Sequence, residues 1–174
     1  MKRRAFFALT AAAVALAGSG CASMRINRVA DDLRTALAGE PVVVTTQQDG
    51  TIMVTSSADY LYPSGGWQLR PGAPVLSNMV PTLAKLQNTS IIVTGYTDST
   101  PIGPQLRQIG VTSNKELSYN RAVSAVDFLS SQGVKRSLLS AQGMGDANPV
   151  ATNNTSEVRA KNRRIEMTLR GDGS

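Results

Sequence analysis

The run Ser90-Ile91-Ile92-Val93-Thr94-Gly95 constrains the fold more than any other segment of this chain. Short, apolar, β-branched and closed by glycine, it has the pattern of a buried strand whose C-terminal end opens into a loop. Asp98 then stands at a strand mouth. A polar stretch with Pro101, Gly103, Pro104 and Gly110 follows. After it, Ser113-Asn114-Lys115-Glu116 offers N-cap oxygens and a first-turn acid ahead of a helix expected to run to about Gln132. The apolar stripe of that helix is Leu117, Ala122, Ala125, Val126 and Leu129, and Arg121 lies one turn beyond Leu117. Packed as neighbours in a strand-loop-helix-strand unit, strand end and helix start bring Asp98 and Arg121 together.

A pocket of that mixed sign suits a zwitterion. Aspartate accepts from an ammonium, while a planar guanidinium and the amides of a helix N-terminus bind a carboxylate. Spacing alone leaves the ordinary explanations open: an Asp after a strand serves as a turn or capping residue, and an Arg on a helix as a solvated or weakly paired surface charge.

Around this unit the chain reads as one domain. Val42–Thr46 and Thr51–Ser56 alternate about an Asp49-Gly50 bend, the pattern of a hairpin. A helix is expected from about Ala73 to Leu86, kinked or broken at Pro81. Ser137–Ala141 reads as a strand, Ser156–Lys161 as a short helix and Arg163–Leu169 as a final strand with one apolar face. Gly143-Met144-Gly145 lacks the strand-to-helix context and the lysine of a nucleotide loop and reads as a tight turn. Tyr60, Tyr62 and Trp67 are expected to cover the core edge. About 130 residues suffice for a single core, and no internal repeat marks a second one.

Several blocks, in order, carry a family resemblance: Gly95-Tyr96-Thr97-Asp98; Asn114-x-x-Leu117-Ser118-x-x-Arg121-Ala122; Gly143-Met144-Gly145 with Pro149 and Asn153; and Arg159-x-x-Asn162-Arg163-Arg164-Ile165-Glu166. Over roughly Val42 to Leu169 they resemble the OmpA-like peptidoglycan-binding domain of OmpA, Pal and MotB type. The resemblance implies an α/β (α+β) fold, a two-layer sandwich of βαβαβ type with a mixed sheet. It implies that Asp98 and Arg121 hold the free end of the diaminopimelate of a peptidoglycan stem, with Asn114, Thr97, Leu117 and Asn162 around the same pocket. Two departures stand out. Tyr96 occupies a place where the family usually has histidine, and the Ser99–Ser113 loop is longer than in the shortest members, either tuning access or standing as a tolerated insertion. The chain has no histidine at all, so a histidine-driven pH response is absent.

The N-terminal residues suggest an address. Lys2, Arg3 and Arg4, then the apolar Ala5–Leu16 and the small residues Ala17–Gly20, form an export signal expected over residues 1–20. Its apolar run is shorter than the roughly 20 residues of a membrane span and carries no ionisable residue, which argues against a MotB-like stator role. The single cysteine, Cys21, resembles a bacterial lipobox cysteine, lipidated after cleavage, although Gly18 stands where such motifs favour leucine. The alternative is ordinary cleavage with Cys21 lost or left as a free thiol. Ala22 after the cysteine implies sorting to the periplasmic face of the outer membrane. Residues 21–40 are expected to form a tether containing a short amphipathic helix marked by Ile26, Val29, Ala30, Leu33 and Leu37, which either meets a partner or, the favoured use, packs on the core; the domain is expected at 41–170 and a tail at 171–174.

Charge narrows the classes. Removing the three signal cations leaves 15 basic against 12 acidic residues, which is no nucleic-acid footprint. With no histidine for a triad or zinc and no evident carboxylate pair, the chain reads as a binder without a cofactor or metal and not as an enzyme. The expected partners are peptidoglycan, the outer membrane through the lipid anchor, and an envelope protein. The expected role is anchorage of the outer membrane to the wall; the alternative is a scaffold subunit of an envelope complex, of Tol-Pal or secretion type, in which wall binding is secondary.

Overall fold

The structure is a computed structural model that describes residues 17–72 and 74–171, with side chains from residue 24 onward. Most of the export-signal segment, Ala73 and the last three residues lie outside the described residues, as does the side chain of Cys21. In chain order the elements are α1 (Ala17–Ala36), β1 (Val42–Thr46), β2 (Ile52–Ser57), α2 (Ala58–Leu61), α3 (Pro74–Leu83), β3 (Thr89–Gly95), α4 (Pro104–Gln108), α5 (Asn114–Ser131), β4 (Leu139–Gly143), α6 (Ser156–Asn162) and β5 (Arg164–Gly171).

Five strands form one mixed sheet in the order β1-β2-β5-β3-β4, antiparallel throughout except for the parallel pair β3 and β4. Its apolar face is built in rows. Ile52, Leu169, Ile91 and Leu139 stand side by side across four strands, and Val44, Val54, Met167, Val93 and Ala141 form the next row. Ile52, Ile91 and Leu169 are fully buried, each worth about 1.5–3 kcal/mol of burial. α1, α3 and α5 cover this face, α5 contributing Ala122, Ala125, Val126 and Leu129 to the same core. The expected two-layer α/β architecture with a mixed sheet is the one observed.

The third row changes character, and this positions the site. There Ile165 is flanked by Gly95, and Gly95 by Gly143. A Cβ on Gly95 would stand 2.2 Å from the Ser118 carbonyl oxygen, and one on Gly143 would stand 2.5 Å from the Lys115 oxygen and the Tyr119 nitrogen. The first half of α5 therefore lies directly on bare backbone at the sheet end. Gly145, at φ +59, also packs on the helix start, where a Cβ would stand 2.9 Å from the Lys115 nitrogen, and its N–H donates to Ser118 Oγ at 2.9 Å. The Gly-Met-Gly segment is a tight turn, as its composition suggests, and also a seat for α5.

The amphipathic helix expected within residues 21–40 packs on the core, the favoured of its two uses: Ile26, Val29, Ala30, Leu33 and Leu37 are all buried against it. Two element bounds are corrected. The helix through Pro81 stops at Leu83 and not Leu86; proline has no N–H for the Ser77 carbonyl, and the chain leaves the helix two residues later. The fourth strand begins at Leu139, two residues late, because Arg136–Leu138 first makes a turn of 3-10 helix.

Candidate functional site

Beyond Gly95 the chain leaves the sheet but stays held at both sides. Tyr96 N–H donates to the Arg164 carbonyl at 2.9 Å and Thr97 N–H to the Gly145 carbonyl at 2.8 Å. Asp98 follows, 7 % exposed, at the mouth of a cavity of about 520 Å³. Its Oδ1 accepts from Thr100 N–H at 2.9 Å, an Asx turn that fixes the carboxylate. Its Oδ2 accepts from Arg163 Nη1 at 2.6 Å. Burial works to raise the Asp98 pKa, but the Arg163 and Thr100 hydrogen bonds outweigh it and hold the carboxyl below its ordinary value.

Arg121 comes to the same cavity from α5. Its helix starts where expected, with Ser113 Oγ accepting from Glu116 N–H at 3.1 Å. The Arg121 side chain is buried, its guanidinium carbon 5.5 Å from the Tyr62 ring centroid and its Nε donating to the Gly66 carbonyl at 2.8 Å. Tyr62, fully buried, donates its hydroxyl to the Arg121 carbonyl at 2.7 Å, so one aromatic residue props both ends of the arginine. Burial pushes the phenol pKa strongly upward, which keeps that donor in place. Burial likewise lowers the Arg121 pKa, countered by Tyr62 and Asp59. Among the described residues Arg121 forms no ion pair with any carboxylate.

The other residues singled out in sequence divide. Asn114 lines the cavity and donates through Nδ2 to the Thr100 carbonyl at 3.0 Å and the Asp98 carbonyl at 3.3 Å, closing the loop onto the helix start. Thr97 lines it too, and its buried hydroxyl oxygen has no hydrogen-bond partner among the described residues. Leu117 lines the cavity with Ile102 and Leu106, in an apolar cluster that also holds Val111 and Trp67. The Ser99–Ser113 loop is therefore part of the site. It supplies Thr100, Pro101, Ile102, Gly103 and Leu106 to the lining, stiffened by the short helix α4.

Asn162 does not reach the cavity. Its Oδ1 accepts from the N–H groups of Val150 and Ala151, and its Nδ2 donates to the Ala151 carbonyl and to Asn153 Oδ1, all at 2.9–3.0 Å. It is a buried staple for the 150–153 loop. Asn153 Oδ1 also accepts from Ser99 N–H at 3.3 Å, so the staple supports the site indirectly. Tyr96 likewise stays apart. It lies over the opposite sheet face, where its ring stacks on Arg164 at 3.6 Å and Arg164 pairs with Glu166 at 2.7 Å. Gly95, between Thr94 and Tyr96, faces α5, and strand alternation puts Tyr96 on the other side.

Two site residues escaped the sequence reading. Arg163 caps α6 and grips Asp59 with three bonds of 2.6–3.0 Å from Nε and Nη2, while its Nη1 takes Asp98. Both Asp59 and Arg163 line the cavity. Asp59, on α2 next to its Ser57 cap, is 104 residues away in sequence. Among the described residues no group of His, Cys, Asp or Glu is arranged to hold a metal ion, and no helix is long and apolar enough to cross a membrane.

The cavity is lined by five charged side chains, Asp59, Asp98, Arg70, Arg121 and Arg163, and among the described residues the exposed Arg70 and the buried Arg121 form no ion pair. A ligand that supplies a carboxylate to Arg121 and an ammonium to Asp98 complements this set.

The model of the OmpA family matches residues 61–163. The Escherichia coli (strain K12) protein named Probable lipoprotein YiaD is 38% identical over 138 residues, covering 79% of this chain and 59% of that protein. Outer membrane protein A of Serratia odorifera is 34% identical over 134 residues, covering 70% and 52%. The chain thus spans between half and three fifths of the length of these curated relatives. Among solved structures, the cell wall anchor of the T6SS from Pseudomonas aeruginosa superposes with a TM-score of 0.72 at 33% identity, covering 83% of this chain and 97% of that one. A MotB-like protein from Desulfovibrio vulgaris gives 0.77 at 25% identity, covering 88% and 95%.

Proposed function

Since the chain belongs to the OmpA family, we propose that it binds peptidoglycan non-covalently, gripping the free zwitterionic end of diaminopimelate in the stem peptide between Asp98 and Arg121. The observation that carries this reading is Arg121: a buried guanidinium, oriented by Tyr62 and Gly66, that has no carboxylate of its own. An uncompensated buried cation is costly, and a ligand carboxylate offsets that cost. The buried, unpartnered Thr97 hydroxyl offers the ligand one more hydrogen bond.

Specificity follows from needing both charges. A lysine-type stem has the ammonium but no side-chain carboxylate, and it leaves Arg121 unpaired. Asp98→Ala and Arg121→Met should each abolish pelleting with purified diaminopimelate-type sacculi, at a cost of about 2–5 kcal/mol in affinity for a soluble muropeptide. Retained binding in both folded variants would sink the assignment.

The same reading makes the chain a binder and not an enzyme; release of soluble muropeptides from sacculi during incubation would contradict it. It also makes the chain a link between wall and outer membrane, with the lipid on Cys21. Acyl chains on Cys21 in the mass of the mature N-terminus are the expected result. An unmodified terminus would remove the anchor and leave the wall-binding reading intact. The likeness to the T6SS cell wall anchor favours a second role, as a scaffold subunit of an envelope complex. Crosslinking in cells, followed by identification of the captured chains, tests it.

A further inference from the structure

Asp98 is already engaged on both oxygens: Oδ1 accepts from Thr100 N–H and Oδ2 from Arg163 Nη1 at 2.6 Å. The second bond is short and charge-assisted, so a ligand ammonium arriving at Asp98 meets a resident cation. That cation is held unequally. Arg163 makes three bonds to Asp59 through Nε and Nη2 and a single one to Asp98 through Nη1. Releasing Nη1 leaves the guanidinium in its fork-to-carboxylate pair. The side chains of Asp59 and Arg163 are 45% and 26% exposed, whereas that of Asp98 is 9% exposed. The Asp59 end of the relay is wet and adjustable; the Asp98 end is buried and fixed.

Resting on the zwitterion reading above, we propose that Arg163 is an internal competitor for the ligand ammonium and that Asp59 sets how strongly it competes. Asp59 draws the guanidinium outward, so only one N–H pair contests Asp98. Without Asp59, the whole fork is free to turn onto Asp98 and close the site to an ammonium. Without Arg163, Asp98 and Asp59 lose the counter-ion that both contact directly, with Arg121 and Arg70 left as the cations of the lining, and the site attracts an ammonium more strongly. A purely structural ion pair predicts something else: loss of either partner loosens α2 from the α6-β5 junction, and both variants weaken binding together. The two accounts therefore differ in sign.

The test is titration calorimetry with the full chain, using a muropeptide that ends in free diaminopimelate and the same muropeptide N-acetylated at the side-chain amine. Asp59→Asn should weaken binding of the free-amine probe about tenfold, while Arg163→Gln should tighten it by about the same factor. The acetylated probe carries no ammonium and should gain nothing from Arg163→Gln. Arg163→Met, which keeps the apolar stem, repeats the measurement should the glutamine variant fold poorly, and unfolding midpoints of all variants are read alongside. Weaker binding in both the Asp59 and Arg163 variants, or equal tightening of both probes, would overturn the proposal. Asp98→Ala separates the two levels: if it still binds, the zwitterion reading itself falls; if it loses binding while the Arg163 variants also weaken, only the competitor role falls.

Discussion

Gly95→Ala probes the seat on which the site depends. An alanine Cβ at this position would stand 2.2 Å from the Ser118 carbonyl oxygen, 2.9 Å from its carbonyl carbon and 3.2 Å from its Cα. A carbon-to-oxygen contact tolerates about 3.3 Å, so α5 must lift by roughly 1 Å. The obstruction is helix backbone and cannot be relieved by a rotamer change. The lift undoes packing of Ala122, Ala125 and Val126 against the sheet and carries Arg121, one turn on from Ser118, away from Asp98. Overpacking of this kind costs about 3 kcal/mol, at the high end of its usual range because backbone must move. That corresponds to a fall in Tm of roughly 6–12 °C for a chain of this size. Urea denaturation followed by circular dichroism reads the stability, and sacculus pelleting below the transition reads the site, where loss of about tenfold or more is expected from a 1 Å displacement. Gly103→Ala is the matched control: at φ -70 it demands no special backbone, and its Cβ would meet only the flexible Gln105 Oε1 at 3.6 Å. It should stay within about 0.5 kcal/mol of the parent. A Gly95→Ala protein as stable as the Gly103→Ala protein would refute the close-approach argument.

Other outcomes follow from the same geometry. Asp98 titrates below its ordinary value, so its folded pKa lies under the roughly 3.9 of an unfolded aspartate; its contribution is complete above about pH 4 and is lost as pH falls through the folded value. With no histidine in the chain, pelleting should be flat between about pH 5 and 8 and decline only below about pH 4, and a midpoint near pH 6.5 would contradict this. Asn162→Ala strips four hydrogen bonds from the 150–153 loop and should cost about 2–4 kcal/mol, with faster proteolytic cutting there; parental cutting rates would show the staple to be unimportant. Leu33→Ala, at a fully buried position of α1, should cost about 2–5 kcal/mol in thermal or urea unfolding, whereas a cost under about 0.5 kcal/mol would mark α1 as an appendage.

What sequence disclosed was largely what is local. The buried strand before Asp98, the Ser113 cap and the stripe of α5 lie within one continuous unit; their periodicity and capping chemistry allow Asp98 and Arg121 to converge, the family blocks favour that over a turn residue and a surface charge, and both residues line one cavity. The ion pair that completes the site joins residues 104 and 65 positions apart, and no local pattern announces it. Arg163 was visible inside a family block but was read as the start of a strand, because alternation in Arg163–Leu169 is indifferent to where the preceding helix ends. Asn162 was misplaced for the opposite reason: a polar residue in a shared block suggests a ligand, although a buried amide serves a backbone loop equally well. The role of the Ser99–Ser113 loop was open because Ile102, Val111 and Leu117 make an apolar cluster only once the loop has folded back on α5.

The burial of α1 has a mechanical side. A pull delivered upstream of this helix is borne by Ile26, Val29, Ala30, Leu33 and Leu37 in the core, with the Arg34-Thr46 hydrogen bond stitching the helix to β1. Of these contacts the one at Ile26 lies nearest the point of pull and the one at Leu37 farthest from it. Peeling residues 21–36 converts a rise of about 1.5 Å per residue into about 3.4 Å and releases roughly 30 Å of chain. The core packing of α1 therefore sets how much of that length stays folded when the chain is pulled.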